Sequence, residues 1–159
     1  MKGDILACYG YDTISELIEK VTNSNTTHIA VKISDKYIME SSWFGVKLSK
    51  ITRLNNQFTI LRDKELNDNQ RQAFVNFVVD AVDVRFDYKL LFGIGLNRVF
   101  GLKTDWDDKS KYICDELVLE GYKQALNIDL FPDKINIVPG DLVQLSRFEL
   151  LKPDLSPLL

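Results

Sequence analysis

The period at which apolar residues recur changes several times along this chain, and each change predicts an element. The opening run Gly3 to Cys8 is apolar and short, which reads as a buried strand ended by a turn at Tyr9-Gly10-Tyr11-Asp12. Thr13 with Glu16 forms a capping-box signature, and Ile14, Leu17, Ile18 and Val21 follow at helical spacing. After the polar loop Thr22 to Thr26, the pattern becomes strictly alternating. His28, Ala30 and Lys32 fall on one face, and Ile29, Val31 and Ile33 on the other. Ser34-Asp35-Lys36 reads as the hairpin connection into a second strand, Tyr37 to Ser41. Shorter strand patterns follow at Val46–Leu48 and Phe58–Leu61, separated by an Asn55-Asn56 turn.

Helical spacing returns where Asn67 or Asp68 offers a cap, with Phe74, Phe77, Val78, Ala81 and Val82 on the apolar face. Residues 86–102 are apolar and punctuated by glycine, which predicts a helix or pair of turns over the core or along a cleft. An acidic loop, 104–108, leads into a last amphipathic helix. Its apolar side carries Leu117, Val118, Gly121 and Ala125 with Tyr122, and its polar side Glu116, Glu120, Lys123 and Gln124. Leu142 to Leu145 reads as a final strand, and the tail from about residue 147, with Pro153 and Pro157, as loose. No repeat, linker or low-complexity stretch interrupts the sequence, so a single domain over 1–159 is expected.

Composition narrows the classes. A chain of 159 residues, 45% hydrophobic and 27% charged, has the balance of a globular domain. At that length it can bury roughly 70% of its unfolded surface. A net charge of −3 gives no basic footprint for nucleic acid. Two cysteines do not make a disulfide framework. The start of the chain lacks a signal peptide, and no apolar run approaches the ~20 residues of a membrane span. A cytoplasmic protein without stable membrane insertion is the expectation.

The candidate chemistry centres on Lys111-Tyr112-Ile113-Cys114-Asp115-Glu116. Cys114 falls at the first turn of the last predicted helix, where unpaired N–H groups favour an anion and so ease thiol ionisation. The like charges of Asp115 and Glu116 oppose it. His28 is the only histidine, so any imidazole chemistry must use it. If the 27–33 and 37–41 runs pair as a tight hairpin, Glu40 becomes a cross-strand neighbour of His28 or lies one diagonal away. Nucleophile, base and orienting carboxylate would then follow the logic of a triad. Each residue also has a plainer role: Cys114 as a small buried hydrophobe, His28 as a hydrogen-bonded strand residue, Glu40 as a surface carboxylate at a strand end. Cys8 reads as core. One histidine and two cysteines without chelating spacing do not resemble a zinc site, so no metal is expected. The glycines at 93, 95 and 101 lack the spacing and the preceding strand of a dinucleotide loop, and no cofactor is expected.

The ordered motifs G-D-I-L, T-H-I-A, M-E-S followed by G-V, F-D-Y, Y-I-C-D-E-L-V and P-G-D-L resemble the circularly permuted papain-like proteins. These are the YiiX-like branch of the NlpC-type cysteine peptidase superfamily, whose relatives include lecithin:retinol acyltransferase-like enzymes. The resemblance runs from Gly3 to about Ser146. It implies an α+β fold in which a curved antiparallel sheet packs against helices. It also implies Cys114 as nucleophile, His28 as general base and Glu40 as the third polar group. Where such families carry C-S-E-L-V, this chain has Asp115 in place of the serine. The backbone N–H of Cys114 would be one oxyanion donor, with the hydroxyl of Tyr9 or Tyr112 as candidate for the second.

The expected function is a cysteine hydrolase or acyltransferase acting through a thioester on an amide or ester bond. Its substrate would be a peptide, an amide or a lipid-like small molecule. The alternative is a catalytically silent lipid- or peptide-binding module of the same fold. Oligomeric state is not legible in the residues.

Overall fold

In the computed structural model, residues 1–9, 25–42, 45–83, 114–133 and 137–153 are described. Six strands form one antiparallel sheet: β1 (Ile5–Tyr9), β2 (Thr26–Lys32), β3 (Tyr37–Ser42), β4 (Gly45–Lys50), β5 (Phe58–Asp63) and β6 (Phe148–Leu151). Their spatial order is β4-β3-β2-β1-β5-β6, so the first strand in the chain is central in the sheet. Three helices are described, α1 (Asp68–Asp80), α2 (Cys114–Leu126) and the short α3 (Pro139–Val143), with a 3-10 turn at Ile51–Leu54. The expected helix over Thr13 to Val21 and the apolar segment 86–102 lie outside the described residues.

Strand alternation sorts the side chains between two faces. Ile5, Ala7, Ile29, Val31, Met39, Val46 and Leu61 join Phe74, Val78, Leu117, Val118, Tyr122 and Leu142 in the larger core, beneath the helices. Leu6, Cys8, Ala30, Ile38 and Phe58 cluster with Leu54 of the 3-10 turn on the opposite face. Each fully buried Leu, Ile or Phe in these layers contributes about 1.5–3 kcal/mol. The hairpin reading is correct: Ile33 and Ser34 donate to Tyr37 O, and Ser34 Oγ accepts from Tyr37 N at 3.1 Å. Asn55 and Asn56 make the next turn at positive φ, 46° and 60°.

Asn67 caps α1, its side chain accepting from Gln70 N at 2.9 Å while Gln70 Oε1 accepts from Asn67 N at 3.0 Å. α1 and α2 pack closely, and Gly121 makes that approach possible: a Cβ there would lie 2.6 Å from Phe74 Cε2. The far half of α2 is tied to the sheet by Tyr122, whose hydroxyl donates to the buried Asp63 at 3.0 Å. Asp63 also accepts from Arg147 Nε at 2.5 Å and from Glu65 N at 2.8 Å.

Two expectations near the C-terminus are corrected. The segment expected as a strand over Leu142 to Leu145 is instead helical over Pro139–Val143. Proline suits the first helical position, and Asp141 Oδ2 accepts from Val138 N at 2.8 Å, closing the helix start. The tail expected to be loose from about 147 contains β6, which pairs antiparallel with β5 from Asp63↔Phe148 to Ile60↔Leu151. Phe148 buries its ring against Tyr122, centroids 6.2 Å apart, which offsets the entropy of ordering the strand. No helix of the described residues is long and apolar enough to cross a membrane.

Candidate active site

The hairpin register decides what lies beside His28. β2 and β3 pair with Ala30 directly opposite Glu40, which leaves His28 one diagonal away on the same face. The methyl group of Ala30 leaves room for the two longer side chains to meet across it. His28 Nε2 lies 3.0 Å from Glu40 Oε2. The imidazole is 17% exposed and the carboxylate 2%. Three further side chains address the other oxygen of Glu40. Ser49 Oγ donates to Oε1 at 2.6 Å and Arg53 Nη1 at 3.0 Å, and Lys47 Nζ lies 3.8 Å away. Burial alone would raise the carboxyl's pKa. The hydrogen bonds from His28 and Ser49, with the electrostatic pull of His28 and Arg53, overcome it and hold the pKa at about 2. Glu40 is therefore ionised and acts only as an acceptor, so Nε2 carries the imidazole's proton in this pair.

Ser49, Lys47 and Arg53 escaped the sequence reading. The first two were within reach of it: extending the hairpin logic to β4 places Lys47 opposite Glu40 and Ser49 opposite Ile38, on the same face. Arg53 comes from the 3-10 turn, whose path over that face no periodicity announces.

Cys114 opens α2, as the spacing predicts, and Asp115 beside it is buried. The sulfur of Cys114 and the whole of Tyr112 lie outside the described residues. α2 packs against α1, β2 and β3. It does so through Leu117, Val118 and Tyr122, on the face that carries Ile29 and Val31. His28 and Glu40 project to the other face, with Cys8 and Ala30. Tyr9 ends β1, and its hydroxyl donates to Thr59 Oγ1 on β5. Cys8, directly opposite His28, is fully buried. The β1–β2 register slips there, pairing Cys8 with His28 but Tyr9 with Thr26, so Thr27 is an extra residue in the ladder. Such a bulge bends the strand and sharpens its twist where His28 begins the regular pairing. Among the described residues, no group of three or more His, Cys, Asp or Glu is placed to hold a metal ion.

No protein-family model matches this chain, and no curated protein matches it. Among solved structures it is similar to the metalloprotein YiiX of Escherichia coli O157:H7, described under DUF1105, at 18% sequence identity and a TM-score of 0.60. The alignment covers 96% of this chain and 88% of that one. At this identity the likeness concerns architecture: the chain shares with YiiX an α+β fold in which a curved six-stranded antiparallel sheet packs against helices.

Proposed function

We propose that this chain is a cysteine-dependent hydrolase or acyltransferase in which Cys114 is the nucleophile, His28 the general base and Glu40 the residue that orients the base. The observation that supports it most is the 3.0 Å bond between the only histidine and a buried, ionised carboxylate. In the proposed reaction that bond holds Nε2, and Nδ1 is the nitrogen that takes the thiol proton. The thiolate then attacks the carbonyl of an amide or ester. His28 returns the proton to the departing amine or alcohol, and water or another acceptor cleaves the resulting thioester. A start of α2 at Cys114 suits this role, because N–H groups at a helix start favour both the thiolate and the developing oxyanion. α2 also packs against β2 and β3, the strands that carry His28 and Glu40.

The solved structure that this chain resembles in fold is described as that of a metalloprotein. The residues of this site do not suit a metal ion. His28 and Glu40 are engaged with each other, and Arg53 and Lys47 lie within 3.8 Å of the same carboxylate, where their charges would repel a cation. Thiol chemistry fits this donor set better. One observation favours a second reading, that of a silent peptide- or lipid-binding module: His28 projects from the sheet face opposite the one on which α2 packs.

Labelling with iodoacetamide across pH separates the two. For the enzyme, Cys114 alkylates well below the ordinary thiol pKa of ~8.5, the rate drops in His28→Ala, and Cys114→Ala abolishes turnover of p-nitrophenyl acetate. Buried Cys8 is the internal control and reacts only on unfolding. Labelling of Cys114 that ignores His28 would refute the assignment in favour of the silent module.

A further inference from the structure

We infer that Ser49 and Arg53 are positioning residues of this site, which together anchor one oxygen of Glu40 so that the other is held toward His28. The inference rests on the proposal that His28 is the base. It comes from a division of roles between the two carboxylate oxygens. Ser49 and Arg53 both donate to Oε1, at 2.6 and 3.0 Å, whereas His28 meets Oε2.

The terminal torsion of a glutamate is broad and two-fold, so an unanchored carboxylate would offer either oxygen to the imidazole over a range of angles. Donors arriving on one oxygen from two different elements, β4 and the 3-10 turn, remove that freedom. A fixed acceptor in turn fixes the plane of the ring bonded to it, and therefore the direction in which its other nitrogen points. Lys47, at 3.8 Å, adds charge on the same side but lies beyond hydrogen-bond range. Cys8, cross-strand from His28, is buried, with its thiol 3.7 Å from Leu6 O.

A single histidine makes the test direct, because protein labelled with ring-15N histidine yields one imidazole with no assignment step. In the unmodified chain the Nε2–H proton should persist in water as a downfield signal. Ser49→Ala and Arg53→Gln should each broaden it, and the double variant should lose it. The kcat for p-nitrophenyl acetate should fall about 10-fold in each single variant with KM held, as for other groups that act through a ligand or base. Arg53→Lys, which keeps a donor, should recover part of both signals and shows that the site still folds. An unmoved N–H signal in Ser49→Ala and Arg53→Gln would overturn the inference, as would a loss confined to KM, which would place Arg53 on the substrate. Cys114→Ala measured alongside keeps the two claims apart. Turnover that survives it refutes the enzyme, whereas the N–H signal judges the anchoring whatever Cys114 does.

Discussion

Replacing Glu40 with Gln keeps the side chain's size but removes the charge on which His28, Ser49 and Arg53 converge. The structure sets the magnitude. A carboxyl that titrates at 4.5 when exposed and at about 2 in the fold spans about 2.5 on the pH scale. At about 1.4 kcal/mol per pH unit this is worth about 3.5 kcal/mol. Arg53 and Lys47 are 47% and 38% exposed, so solvent screens part of their share and brings the figure nearer 2 kcal/mol. The sign follows from the direction of the shift. A lowered folded-state pKa gives stability that is fully present above pH 4.5 and drains away as the pH falls toward 2. The assay is urea unfolding of both proteins at pH 7, 5, 4 and 3. The stability gap between them should lose about half of its Glu40-titrating part between pH 5 and pH 3. Asp4, which Arg62 holds low against its burial, titrates in both proteins and cancels in the difference. A gap that stays flat from pH 5 to 3, or that widens over that range, would refute the reasoning.

Two further substitutions probe the framework. Gly121→Ala drives a methyl group into Phe74 across the α1–α2 contact and should destabilise by about 1–3 kcal/mol in urea unfolding, although alanine is the better helix former. Tyr122→Phe keeps the ring contacts with Phe74 and Phe148 but takes one donor from buried Asp63. It should cost about 1.5–3 kcal/mol by the same measurement, with Cys114 alkylation in the folded protein unchanged.

The hairpin was readable because its signals agree. Strict alternation from Thr27 to Ile33, turn residues at 34–36 and a short return strand permit few registers, and the observed one puts Glu40 in reach of His28. The apolar face of α2 was equally plain: Leu117, Val118, Gly121 and Tyr122 are all buried. The C-terminal end misled because Leu142, Val143 and Leu145 form a short apolar run that suits a buried strand as well as a helix, while the deciding signal was local: a proline at the first helical position and an aspartate two residues on. β6 was hidden for another reason. Its place depends on an exposed edge of β5 that comes from far earlier in the chain, and on the Arg147–Asp63 pair that no local pattern encodes. The carboxylate's other partners divide the same way: Ser49 follows from strand pairing, whereas Arg53 requires the path of a turn.

His28, Glu40, Ser49 and Arg53 all belong to the continuous stretch 28–53, two hairpins and a turn, while Cys114 enters from much later in the chain. Neighbouring hairpins close in microseconds, whereas docking a distant helix waits for long-range closure. In the proposed enzyme, base and nucleophile therefore rest on contacts of very different sequence range. The pairing of His28 with Glu40 needs only neighbouring hairpins, whereas bringing Cys114 to them would need the closure of a long loop.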